Sequence, residues 1–199
     1  MYVIGHYSYT IVGNNLKVNA NKRMRFRHIH NKLKRFATKS GIIGLFLLSH
    51  TVLLLMMLFT FPRINAKFGT EAFDLKPFGY SQSEAAMMLR NLDQSTVDFY
   101  LFPQLFLLDI LYPILLALFL STLIIRLSNL IKVNQTHVFS NLFVLPFIAM
   151  FIDYFENLMI SLMITNPINV SSAVIKTASL FTQMKGGFTT LSWLVILIL

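Results

Sequence analysis

The stretch Val138–Thr165, VFSNLFVLPFIAMFIDYFENLMISLMIT, decides how the chain is read. A helix rising about 1.5 Å per residue needs about 20 mostly apolar residues to cross a bilayer, and this run exceeds that length. Near its middle it carries Asp153, Glu156 and Asn157. Carboxylates at that depth are costly in lipid, so they face other protein or a water-filled cavity. The rest of the chain is expected to supply the surroundings those acids need.

Composition points the same way. Of the 199 residues, 55% are hydrophobic and only 13% are charged. A soluble domain of this size is about a quarter charged. That deficit, a mean hydropathy of +0.64 and four long apolar runs argue for one polytopic membrane domain and against a globular enzyme. The absence of cysteine excludes disulfides, thiolate chemistry and Cys-ligated metal sites.

Charge is unevenly placed. The net is +9, yet residues 1–40 hold nine Lys/Arg and no acid, so the remainder nets to zero. A basic arm directly ahead of a spanning run is the positive-inside signal more readily than a nucleic-acid-binding tail. The apolar run that follows is long enough to span and has no small-x-small cleavage site, so it reads as a span and not a cleaved signal peptide. Within the arm, Phe26, Ile29, Leu33 and Phe36 recur at spacings of three and four. They predict an amphipathic helix over 21–39, apolar stripe on the bilayer and Lys/Arg against anionic headgroups.

The expected fold class is all-α: a polytopic membrane four-helix bundle with an N-terminal basic amphipathic helix. Residues 1–40 form the arm and 41–199 the membrane domain, with spans at about 41–61, 101–126, 138–165 and 173–199. Pro62 is expected to end the first span, and Pro113 and Pro146 to bend the second and third. The 62–100 connection, net −1, is expected to hold a short helix from about Ser83 to Leu92 behind the capping spacing Ser81–Glu84. With the arm inside, both termini are predicted to be cytoplasmic and the 62–100 connection to lie outside.

Depth counting at 1.5 Å per residue puts Asp109 roughly 15 Å, Asp153 about 18 Å, Glu156 about 14 Å, Lys185 about 18 Å and His50 roughly 16 Å from the outer ends of their helices. Each predicted span therefore places an ionisable side chain in one layer. By azimuth, Asp153, Glu156 and Asn157 share one side of the third helix, Asp109 and Tyr112 one side of the second, and Thr182 and Lys185 one arc of the last. The expected polar cluster is His50, Asp109, Tyr112, Asp153, Glu156, Asn157, Thr182 and Lys185, with Lys185 balancing one carboxylate and His50 close to another. Asp109, Asp153 and Glu156 are the candidate ligands of a hard divalent ion, a marginal set. No motif names a cofactor, since P-loop, dinucleotide, H-E-x-x-H and G-x-S-x-G signatures are missing.

Three classes of function stay open. The cluster could fix helix register in a structural or subunit role. It could bind or transport a small cation, a proton or a polar headgroup. It could also serve an intramembrane enzyme acting on a lipid. Membrane lipids are the expected partners, with a homo-oligomer or a larger membrane complex also open.

The strings DILYP at Asp109–Pro113 and DYFEN at Asp153–Asn157, followed by Lys185, resemble a group of small four-span integral membrane proteins found mainly in bacteria. That group carries D-x-x-Y-P and D-x-x-E-N in consecutive spans. The likeness covers residues 41–199 and leaves out the basic arm. In that group a Trp often follows the lysine, whereas here Gly186 follows Lys185 and the nearest Trp is Trp193. The resemblance implies a four-span architecture and a central place for the acids, and no reaction.

Overall fold

The structure, a computed structural model, describes residues 28–131 and 139–199. Its helices are α1 (28–36), α2 (Lys39–Phe68), α3 (Gln82–Arg90), α4 (Gln94–Leu130), α5 (Asn141–Thr165) and α6 (Ser172–Ile198). Among the described residues three of these, α2, α4 and α5, are long and apolar enough to cross a membrane. The chain is therefore an all-α, multi-pass membrane protein with three candidate spans, not the four expected. Helix α6 has the length, 27 residues. Its middle, however, carries Thr182, Gln183, Lys185 and two glycines, which dilute its apolar character below that of the other three. Without a fourth qualifying helix the cytoplasmic C-terminus, which rested on an even number of crossings, loses its basis.

Helix α2 continues past Pro62 because a π turn over Met56–Thr60 widens the coil just ahead of it. Pro62 then falls in the first turn of the continuing segment, where its missing N–H is not needed. The helix stops only at Gly69, whose left-handed φ of 71° lets its N–H reach Asn65 O at 2.9 Å. Helix α4 is interrupted by a wide π turn over Tyr100–Leu108, with Phe102 out of helical geometry ahead of Pro103. Regular α geometry resumes at Asp109. Pro113 leaves the carbonyl four residues earlier, that of Asp109, without its helical donor, and Asn157 Nδ2 donates to it across the interface at 3.2 Å. Pro146 marks the change from 3₁₀ to α geometry in α5. It sits in the first turn after the 3₁₀ segment Phe139–Val144, again where no donor is lost.

The connection after α2 folds back over the bundle. Ser81 caps α3, accepting from Glu84 N at 3.2 Å, and Asp93 caps α4, accepting from Thr96 N at 2.8 Å. Helix α3 runs one residue ahead of its predicted start and buries Ala85, Met88 and Leu89. The loop before it is fixed by Tyr80 N donating to Ser179 Oγ at 2.9 Å. Gly79, at φ 79°, lets the loop lie so close to α6 that a Cβ there would collide with Ser179 and Gln183.

The N-terminal helix ends at residue 36, three residues ahead of the expected 39. It covers 28–36 among the described residues and breaks before Thr38, whose hydroxyl accepts from Gly41 N at 3.0 Å to start α2. Residues 1–27, Phe26 among them, lie outside the described residues. Leu33 is buried against Ile124, Ile125, Phe143 and Val195 in a small apolar cluster. Arg126 Nη1 donates to Ala37 O at 3.1 Å, tying the arm to α4. A larger apolar cluster joins α2, α3, the loop and the opposite ends of α5 and α6, including Phe61, Phe73, Met88, Tyr100, Ile160 and Ala178. Along α4, α5 and α6 the polar residues fall between these two clusters.

Candidate functional site

Helices α5 and α6 pack along most of their length, and α4 closes against α5. Spacings of three and four on α5 turn Asp153, Glu156, Asn157 and Ile160 to the inside, where all four are buried. Across the interface, small Ala178, Ser179 and Thr182 let α6 approach closely. Lys185 then reaches both acids, with Nζ 3.1 Å from Asp153 Oδ1 and in contact with Glu156 Oε2. The other Glu156 oxygen accepts from Thr182 Oγ1 at 2.6 Å. Glu156 is fully buried, so this pairing is what makes its burial tolerable.

Asp109 stands where the π turn gives way to α-helix. Its Oδ2 accepts from Gln104 Nε2 at 2.7 Å, and Gln104 Oε1 in turn accepts from the Thr60 hydroxyl on α2. The single Thr60 proton lies within reach of both Gln104 Oε1 and Met56 O, so the π turn of α2 and that of α4 are joined through one buried hydroxyl. This arrangement orients a carboxylate that is itself buried.

A fourth acid comes from the loop. Asp74 lies in the 3₁₀ turn Phe73–Leu75 between a fully buried phenylalanine and a part-buried leucine. Its Oδ2 accepts from Tyr100 OH at 2.6 Å, while Oδ1 is buried with no hydrogen-bond partner. Burial raises the Asp74 carboxyl above the usual range and outweighs the pull of the Lys185 charge and of the Tyr100 hydroxyl. Burial likewise raises the Tyr80 phenol nearby.

Asp74, Asp109, Asp153 and Lys185 all line one cavity of about 300 Å³, together with Tyr112 and Thr182. The rest of its lining is largely apolar and includes Leu53, Met56 and Met57 of α2 with Leu116, Leu120 and Met150. Among the described residues, no three His, Asp or Glu side chains converge as ligands of one metal ion, so the candidate set Asp109, Asp153 and Glu156 does not assemble as such.

The structure thus brings together seven of the eight residues expected in the cluster and leaves one out. His50 Nδ1 bonds Phe46 O at 2.9 Å, and its ring packs on Phe46 and Phe119. It pairs with no carboxylate. Matching depth did not bring matching direction. Asp74, Tyr100, Gln104 and Thr60 were missed from the sequence. The one signal for Asp74 is an acid flanked by apolar residues in a loop bounded by Gly69 and Pro77, and helical periodicity cannot register it.

Fold and site together define a multi-pass helical membrane protein with a buried acidic–lysine cluster beside a cavity. No protein-family model, curated protein or solved structure matches the chain. The likeness to a four-span bacterial group is accordingly withdrawn, since no family match carries it and only three helices qualify as spans.

Proposed function

We propose that the chain is a membrane-embedded binding protein whose cavity takes a small positively charged group that donates hydrogen bonds. The observation that carries this reading is Asp74, which lines the same cavity as Asp109 and Asp153 and whose buried Oδ1 has no hydrogen-bond partner. Glu156 has the Thr182 hydroxyl on one oxygen and the Lys185 charge against the other, whereas Asp74 Oδ1 has neither a donor nor a cation beside it. Four carboxyls share one lysine, and that lysine is committed to Asp153 and Glu156. Charge balance and donor supply both favour a cationic donor beside Asp74 and Asp109.

The basic arm supports a placement as well. Lys32, Lys34, Arg35 and Lys39 are exposed around α1 and the start of α2, and we place this end at the cytoplasmic leaflet among anionic headgroups.

Thermal melts of the purified chain with methylammonium chloride, against equal sodium chloride, test the binding reading. The expected result is a methylammonium-specific rise in Tm that is lost in both Asp74→Asn and Asp109→Asn. A wild-type chain that does not respond, or variants that respond as well as wild type, would leave the cluster a structural one.

A further inference from the structure

Resting on that reading, we infer that the ligand is a primary-amine amphiphile of the bilayer, its alkylammonium head at Asp74 and Asp109 and its tail leaving sideways between α2 and α6. The cavity is divided by chemistry. Along α4 and α5 the lining passes from Asp109 and Asp153 to Leu116, Leu120, Ala149 and Met150, so a molecule that fills it must be polar at one end only. About 300 Å³ lies at the small end of ligand pockets, enough for a head and the first carbons of a chain and too little for a long tail.

The tail has a way out. Helices α2 and α6 flank the cavity, yet α2 packs chiefly on α4, and α6 on α5, leaving α2 and α6 without an extended contact. Met57 of α2 and Thr190 of α6 both line the cavity and are exposed, so they stand at its rim. Beyond Met57, exposed Leu54 and Leu58 continue an apolar track along α2. A lipid-borne ligand can slide in along this side without crossing water.

The head is read from the donor balance. A phosphate or carboxylate head would find no free cation in the lining, since Lys185 is already engaged by Asp153 and Glu156. A bare metal ion wants several ligands converging on one point, which the acids do not offer among the described residues. An alkylammonium carries three N–H donors that can serve acceptors set apart from one another, such as the Asp74 and Asp109 carboxyls of the lining.

The test is a titration of the full chain in phosphatidylcholine nanodiscs, read by thermal melts and by the fluorescence of Trp193, the single tryptophan. The probes are dodecylamine, dodecyltrimethylammonium, dodecanol, dodecanoate and the tail-less methylammonium. Dodecylamine is expected to bind at least about tenfold tighter than every other probe, and to lose about tenfold or more in Asp74→Asn. Met57→Trp, which narrows the rim at an exposed position and is read by melts alone because it adds a second tryptophan, is expected to weaken dodecylamine and spare methylammonium. If methylammonium binds as tightly as dodecylamine, or Met57→Trp affects both alike, the tail and its side route are wrong while the cation site stands. Equal binding of dodecyltrimethylammonium, dodecanol or dodecanoate would overturn recognition of the ammonium donors. Silence toward both amines would remove the inference and the binding reading together.

Discussion

Helices α2 and α6 border the same cavity and meet it with opposite chemistry. α2 offers Leu53, Met56 and Met57, and α6 offers Thr182, Lys185, Gly186 and Thr189. α2 is the more apolar helix and yet the less buried one. Leu47, Leu48, Leu58 and Phe59 are exposed, whereas Ser49 is fully buried. α6 carries the polar residues and packs them inward against α5, sending Leu180, Leu191, Leu194 and Leu197 outward. Both helices therefore invert the rule of soluble proteins. In an apolar surrounding, large aliphatic side chains gain nothing by burial, and small or polar ones gain packing and partners inside. The difference between them is that α6 must satisfy charges and α2 need only fit.

The largest break in this contrast is expected from the charged helix. Lys185→Met leaves Asp153 and Glu156 facing each other unpaired, and a loss of about 3 kcal/mol or more in unfolding free energy is the expected outcome. Denaturant titration in mixed micelles measures it, and combining the change with Glu156→Gln is expected to recover part of the loss. A variant as stable as wild type would show that α6 is not held by its ion pairs.

A smaller effect, of about 2 kcal/mol, is expected from the fitted helix. Ser49 is fully buried and donates to Phe46 O at 3.1 Å, so Ser49→Leu overpacks the α2–α4 contact although it makes α2 more apolar. The adjacent change Leu48→Ala, at a position 57% exposed, is expected to shift stability by less than about 0.5 kcal/mol. The same titration compares the two, and a reversed order would mean that α2 turns its other face to the bundle.

The smallest effect concerns pH. The Asp74 carboxyl is raised in the folded chain, so its contribution to stability is fully present below the ordinary carboxyl value and is lost as pH rises through the raised one. Melts of wild type and Asp74→Asn from pH 4 to 8, without amine, are expected to show wild type's relative advantage greatest at acid pH and declining toward neutrality. An advantage that grows with pH would mean that the loop acid is stabilised in its charged form.

Much of the bundle interior was legible because helices repeat. Asp153, Glu156 and Asn157 on α5 and Thr182 with Lys185 on α6 share faces by spacing, and the structure joins those faces. The cap at Ser81 and the orphaned carbonyl four residues before Pro113 follow equally from local rules. Other readings failed, each for its own reason. His50 has the expected depth but turns to Phe46 and Phe119, since depth along a helix says nothing of its rotation within a bundle. Pro62 was read as a stop because a π turn ahead of it leaves no mark in residue spacing. The last helix was counted as a span from its length and its apolar end, although its polar middle lowers the whole.

By itself the sequence determined that this chain is helical, apolar and multi-pass, and that carboxylates sit within its helices. Those properties depend on composition and on repeats of three and four residues, which a chain carries before it folds. Only the tertiary structure decided which acids share a cavity, that Asp74 arrives from a loop with one oxygen unclaimed, and that His50 stays away. Such facts depend on helix rotation and loop path. These are set by how the small-residue face of α6 packs on α5 and how Gly79 brings the loop against Ser179.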